Sequence, residues 1–283
     1  MEIRSLANTG FDTIFKAFSQ AFADYEMQLN SEQLRTMLKR RGFVAELSFA
    51  AFDDDEIVAF TLNGIGKFGD SATAYDTGTG TVKERRGEGL ATEIFSYSIP
   101  HLRAAGIGQY LLEVLQHNTG AVSIYRNLGF EVTREFNYAV QDNDLVGKAA
   151  EVAEDTYSLR NAGPEILNVA PVFWDFNPSW QNSNESILRT VDDFIFLGVY
   201  AGEELIGYGV FEPASGDITQ IGVHKQHRRK GVGSMMLGEM TRLNRNKMIK
   251  ALNTDISCNS VNGFLVARNL APTGRQFEMV RNL

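Results

Sequence analysis

Arg86-Gly87-Glu88-Gly89-Leu90-Ala91 and, 142 positions further on, Arg228-Arg229-Lys230-Gly231-Val232-Gly233 are the two stretches on which the reading of this chain turns. Each follows a run that reads as a β-strand and precedes a pattern that reads as a helix. A glycine-rich turn in that position presents successive backbone N–H groups, and the helix N-terminus adds partial positive charge, so the turn suits a pyrophosphate. One such turn alone is equally an ordinary corner with solvated arginines; two in matching contexts favour a ligand site. Other nucleotide motifs fit less well. A dinucleotide-binding fold places its glycines after the first strand and an acidic residue about twenty residues later, whereas these glycines follow a meander of strands. A Walker loop needs Gly-Lys followed by Ser or Thr, which neither stretch has.

Upstream of the first turn, Ile14, Phe15, Phe18, Phe22 and Tyr25 recur at helical spacing and form a core stripe. Ser31 is an N-cap candidate for a second helix with Leu34, Met37 and Leu38 inward, ended by Gly42. GFVAELSFAAF (42–52) and EIVAFTLNGI (56–65) read as a hairpin, and ATAYDTGTGTV (72–82) as an irregular strand. After the turn come a helix, the strand GQYLLEVL (108–115), the helix NTGAVSIYRNLG (118–129) closed by Gly129, and the strand FEVTREFNYAV (130–140). The order then returns: TYSLR (156–160), helices over PEILNVAPVFWDF (164–176) and NESILRTV (184–191), a hairpin over 194–212, ITQIGV (218–223), the second turn, helix, strand, helix and the last strand GRQFEMVRNL (274–283). The period is the size of a domain. The polar segment QDNDLVGKAAEVAEDT (141–156) is the best linker, which gives an N-terminal domain over 1–147 and a C-terminal one over 152–283. The expected class is α/β, a mixed sheet with flanking helices, twice in tandem.

Composition narrows the function classes. The chain has 283 residues, enough for two cores, with 43% hydrophobic and 22% charged residues. A formal charge of -8 opposes non-specific binding to nucleic acid or anionic lipid and mildly favours a cationic acceptor. The single cysteine, Cys258, excludes an intrachain disulfide and a cysteine-based zinc site. With no leader-like N-terminus and no apolar run of membrane-spanning length, a cytoplasmic protein is expected. The four histidines lack a spacing and carboxylate partner that would suggest a metal.

These motifs resemble the GNAT superfamily of acetyl-CoA-dependent N-acetyltransferases, whose signature is Arg or Gln, two residues, Gly, one residue, then Gly or Ala. It stands here as Arg86, Gly89 and Ala91, and as Arg228, Gly231 and Gly233. A second family segment, Asn, a small residue, Tyr and Gly-Phe, is matched by Asn118, Ala121, Tyr125, Gly129 and Phe130. The resemblance covers nearly the whole chain. It implies acetyl-CoA as cofactor, CoA as product, the amides of both turns on the pyrophosphate, and Thr79, Thr81, Val82, Ile221 and Val223 along the pantetheine arm. It further implies Tyr125 as proton donor to the departing sulfur, where a hydroxyl has a role; the alternative is aromatic packing at the helix end. Asn118 either binds the pantetheine amides or caps its helix.

A base is also needed, since a protonated amine cannot attack; Asp76, on the strand before the first turn, is the candidate, with Glu46 or no protein base as alternatives. The second half departs from the pattern, with Asn259 retained, Val266 or Ala267 where Tyr125 would stand and Ala271-Pro272 in place of the Gly-Phe pair. The expectation is a working first domain and a second that shapes the acceptor cleft. Phe173, Trp174, Phe176 and Trp180 either pack internally or line an acceptor pocket. The expected reaction is direct acetylation of a small-molecule amine by a monomer; a non-catalytic acyl-CoA-binding or regulatory protein is the alternative, distinguished by Tyr125, for which a binding module has no use.

Overall fold

The computed structural model describes residues 1–24, 28–147 and 157–283. The first half builds β1 (Glu2–Ser5), α1 (Phe11–Ala21), α2 (Ser31–Arg41), β2 (Phe49–Asp53), β3 (Glu56–Phe68), β4 (Ser71–Thr81), α3 (Leu90–Ala104), β5 (Gln109–Leu115), α4 (Thr119–Asn127) and β6 (Glu131–Asp142). The second half builds β7 (Ser158–Ala162), α5 (Asn184–Arg189), β8 (Ile195–Ala201), β9 (Glu204–Glu212), β10 (Asp217–Val223), α6 (Val232–Leu243), β11 (Met248–Asp255), α7 (Asn259–Ala267) and β12 (Gly274–Asn282). The fold is a mixed α/β one, as the repeated element order implies.

Local chemistry explains most of these elements. The α2 N-cap is Asn30, one residue before the expected Ser31: its side chain accepts from Gln33 N–H while the Gln33 side chain accepts from Asn30 N–H, a reciprocal capping box. Gly42 ends that helix at φ 79°, a left-handed conformation that glycine takes without steric penalty. Residues 164–176 do not form the expected helix. They make two short 3-10 turns, Pro164–Asn168 and Ala170–Phe173, because Pro171 removes a backbone donor and obstructs the turn before it. Tyr25 and residues 148–156 of the expected linker lie outside the described residues.

The chain forms two compact units, Met1–Thr133 with Phe277–Leu283, and Arg134–Gln276. The division therefore falls within β6, not in the segment around residue 150, and the last strand returns to the first unit. In unit 1, β1, β2, β3 and β4 are antiparallel in sequence, β4 runs parallel to β5, and β12 is the next neighbour of β5. In unit 2, β7, β8, β9 and β10 are antiparallel, β10 is parallel to β11, and β11 pairs with β6. Each unit thus takes up a strand from the other half of the sequence. Met279 of β12 is 0% exposed and packs with Phe95, Tyr110 and Phe130, and Thr133 Oγ1 donates to Glu278 Oε1 at 3.0 Å.

Helices cover both faces of the unit 1 sheet. Phe60 and Leu62 pack with Ile14, Phe18, Leu34 and Leu38 of α1 and α2, while Ala59 packs with Leu90 and Ile94 of α3. The parallel pairing of β4 and β5 lasts only from Thr73–Gln109 to Tyr75–Leu111. Beyond that the two strands part, and the fork between them positions the site.

Candidate active site

Asp76 is the residue immediately past the last β4–β5 pair. A bulge at Thr77, where pairing with β3 steps from Asp76 to Gly78, bends the strand there. Asp76 is 9% exposed. Its Oδ1 accepts from Gly78 N–H at 2.9 Å, and its Oδ2 accepts from Thr79 Oγ1 at 2.9 Å and from Tyr125 Oη at 3.3 Å. Burial pushes the Asp76 carboxyl up to about 6, against those three hydrogen bonds and the Arg41 charge, which pull it down. The expected base and the expected proton donor are thereby brought into direct contact from β4 and α4.

Tyr125 is held by its ring, edge-on to Phe95 and Phe130 at centroid distances of 5.7 and 5.8 Å. Beneath the pair, buried Tyr110 donates to Asn63 Oδ1 at 2.5 Å; burial first, then the charge of Asp76, keeps this phenol protonated well above its ordinary range. On the other side of the strand, burial and then Glu113 likewise raise Tyr75, and Arg41 Nη1 donates to Thr77 O at 3.0 Å.

The turn at the end of β4 carries two glycines in the left-handed region. Gly87 and Gly89 stand at φ 85° and 82°, and a Cβ built on either meets nothing within 4 Å, so the surface is open for close approach. Gly89 is the N-cap of α3 and supplies no side-chain cap to the first N–H groups of the helix. Arg86 is tied back to Thr81 O at 3.3 Å, Asp24 at 3.1 Å and Ala21 O at 2.9 Å. Glu88 engages Arg85, and Leu90 is buried, so of those two only the backbone is available at the turn, with Ala91 following in the helix. Thr79 belongs to the Asp76 network, while Thr81 and Val82 are half-buried at the strand end.

Other expected residues fall elsewhere. Asn118 Oδ1 accepts from Ala121 N–H at 3.3 Å, the capping role of the two readings. Glu46 sits in a 3-10 turn and its carbonyl accepts from Ser5 Oγ. Trp180 and Phe173 are 2% and 5% exposed, so these two pack internally.

Unit 2 repeats the backbone and replaces the chemistry. Its turn has Arg229 at φ 63° and Gly231 at φ 90°, with Gly231 the uncapped N-cap of α6 and Val232 and Gly233 opening the helix. Lys230 is exposed, Ile221 and Val223 are half-buried, and Val223 O accepts from Arg228 Nε at 3.1 Å. The β10 bulge lies at Thr219, so Ile218 holds the place of Asp76. Leu270 N–H donates to Leu265 O at 2.9 Å as Phe130 N–H does to Tyr125 O at 3.0 Å, and Asn269 at φ 62° stands for Gly129 at φ 81°. Leu265 therefore holds the place of Tyr125, rather than Val266 or Ala267, and Asn269-Leu270 replaces the Gly-Phe pair rather than Ala271-Pro272. By the same register Cys258, not Asn259, takes the N-cap place of Asn118. Ile218 and Leu265, 4% and 2% exposed, lie in one apolar cluster where unit 1 has an acid and a phenol.

A sequence model of the acetyltransferase (GNAT) family matches residues 11–130 and again 155–261. N-alpha-acetyltransferase 30 of Schizosaccharomyces pombe is 29% identical over 102 residues, which is 35% of this chain and 67% of that protein. Among solved structures, a tandem GNAT protein from the clavulanic acid biosynthesis pathway superposes with TM-score 0.73 at 13% identity, covering 99% of this chain and 98% of that one. A GCN5-related N-acetyltransferase from Sphaerobacter thermophilus gives 0.74 at 13% identity, over 99% and 95%. At such identities the structural likeness speaks to the fold. Among the described residues no helix is long and apolar enough to cross a membrane.

Proposed function

The chain belongs to the acetyltransferase (GNAT) family, and from that premise we propose that it transfers an acetyl group from acetyl-CoA to the amine of a small molecule, with unit 1 carrying the reaction. The observation that carries this reading is the hydrogen-bonded Tyr125–Asp76 pair at the β4–β5 fork, beside an open glycine turn and replaced by Leu265 and Ile218 in unit 2. A purely binding module has no use for such a pair. The name of the fission-yeast relative, an N-alpha-acetyltransferase, supports nitrogen as the acceptor atom.

The residues fit the cofactor. The N–H groups of the turn from Arg86 to Ala91 and the α3 N-terminus would hold its pyrophosphate, and the Thr79–Val82 edge of β4 its pantetheine arm. Bound there, acetyl-CoA supplies an activated acyl group on a sulfur that leaves as a thiol. Asp76 Oδ2, ionised above pH about 6, accepts the proton that the acceptor nitrogen loses as its bond to the acyl carbon forms. Tyr125 Oη delivers a proton toward the leaving sulfur as the old bond breaks, and Asp76 returns one to Tyr125 across their 3.3 Å contact. The pair ends protonated as it began, and no further reactant is needed. The lone free Cys258 fits a reducing, cytoplasmic setting.

Isothermal titration of the full chain with acetyl-CoA, followed by mass spectrometry of a panel of primary amines incubated with it, tests the reading. Saturable binding and amines heavier by one acetyl group are expected. A folded chain that binds no acetyl-CoA overturns it, and binding without transfer to any amine leaves the binding-module alternative.

A further inference from the structure

The geometry points to a second acyl-CoA cleft in unit 2 that the chain keeps closed with its own segment 173–178, Asp175 being the latch. The inference rests on the reading that these glycine turns receive acyl-CoA. Unit 2 keeps the parts of such a cleft: an uncapped α6 N-terminus behind a left-handed Gly231, and parallel strands β10 and β11 that part after the Asp217–Lys250 pair.

One carboxylate ties the two sides of that fork together. Asp175 Oδ1 accepts from Arg228 Nη2 at 2.9 Å, and Asp175 Oδ2 accepts from Ser260 Oγ at 2.6 Å. Arg228 follows β10, while Ser260 stands in the first turn of α7, which follows β11. Unit 1 makes the corresponding arginine–carboxylate pair, Arg86 Nη1 to Asp24 Oδ2 at 3.1 Å beside the bond from Arg86 Nε to Thr81 O; in unit 2 the carboxylate also takes the bond from Ser260 of α7, which spans the fork.

Behind the latch the space is filled. Trp174 Nε1 donates to Tyr208 Oη at 2.7 Å, and Tyr208 Oη in turn donates to Gln220 Oε1 at 2.8 Å. What remains is a cavity of about 50 Å³, lined by Trp174, Asp175, Thr219, Ile221, Asn253 and Val261 among others. Sites that take a cofactor-sized ligand run to about 300–1,000 Å³, so a pantetheine arm enters only if the segment moves out. Burial would raise the Asp175 carboxyl, yet the bonds from Ser260 and Arg228 hold it below its usual range. The latch is therefore an anion held on Arg228, beside the turn that would meet a phosphate.

Acetyl-CoA titrations of the full chain, read by calorimetric stoichiometry and tryptophan emission, test this. Both tryptophans, Trp174 and Trp180, lie in or beside the segment, so emission reports on unit 2. Wild type is expected to bind one equivalent with emission unchanged. Asp175→Ala is expected to bind two, with an emission change on filling the second, and Asp175→Ala with Arg228→Ala to return to one. Should Asp175→Ala fail to fold, Ser260→Ala carries the same expectation with a weaker second site. Two equivalents in wild type, or one in a well-folded Asp175→Ala protein, overturn the latch while leaving the acetyl-CoA reading intact. No binding in wild type with one emission-linked site in Asp175→Ala supports the latch and sinks the assignment of unit 1; no binding in either sinks both.

Discussion

Tyr125→Phe is expected to lower kcat for acetyl transfer by about 10²–10⁴-fold, the usual contribution of a positioned proton donor, with little change in acetyl-CoA affinity. The substitution removes one oxygen. The ring contacts with Phe95 and Phe130 remain, so α4 stays in place and a loss of rate is not a loss of fold. The variant also carries a signature that a packing role would not produce. Tyr125 is one of the donors holding the Asp76 carboxyl down against burial, so its removal moves that carboxyl further up. The acidic limb of the pH–rate profile, expected near pH 6 in wild type, shifts to higher pH in the residual activity of Tyr125→Phe. Steady-state kinetics across pH measure both effects; an unchanged kcat assigns Tyr125 to packing alone.

Asp76→Asn is expected to make the protein slower and, at neutral pH, more stable. Without a proton acceptor the rate falls by about 10²–10⁴-fold and the limb near pH 6 disappears. The stability effect follows from linkage. Folding raises the carboxyl from 3.8 to about 6, so the folded chain binds this proton more tightly than the unfolded one. At about 1.4 kcal/mol for each pH unit, keeping Asp76 ionised costs the folded state roughly 3 kcal/mol. That penalty is absent below pH about 4, grows as pH rises through the interval to about 6, and is complete above it. The uncharged amide of the variant is free of it, although Thr79 and Tyr125 then lose a charged acceptor, so a net gain of about 1–3 kcal/mol at pH 8 and almost none at pH 4 is expected. Denaturant unfolding of both proteins at the two pH values measures the difference. Equal stabilities at pH 8 show that Asp76 carries no such penalty.

The site is partly legible in the amino-acid order. Left-handed glycines, an acid on an irregular strand and a tyrosine one turn before a helix stop are local features, and the turn at Gly87 and Gly89 follows from them, whereas the meeting of Asp76 with Tyr125 depends on β4 lying beside β5. Partner choice between strands is not local. GRQFEMVRNL reads as a strand wherever it goes, and only the space beside β5, filled by Met279, shows that it completes unit 1. The 164–176 segment has helical spacing of apolar residues, but Pro171 overrides periodicity. The counterpart of Tyr125 was hidden for another reason. Asparagine tolerates positive φ better than most residues, so Asn269 closes α7 without a glycine to mark the place, and Leu265 is identified only by the hydrogen bond its carbonyl accepts from Leu270.

The assignment of the reaction to unit 1 is tested most directly by matched substitutions in the two turns. Gly89 and Gly231 occupy equivalent N-cap positions at φ 82° and 90°, so valine imposes similar backbone strain at each. The measurement is amine-dependent thiol release from acetyl-CoA by Gly89→Val and Gly231→Val, each shown to be folded. The account predicts that Gly89→Val loses the activity and Gly231→Val keeps it; loss in Gly231→Val with retention in Gly89→Val would contradict it.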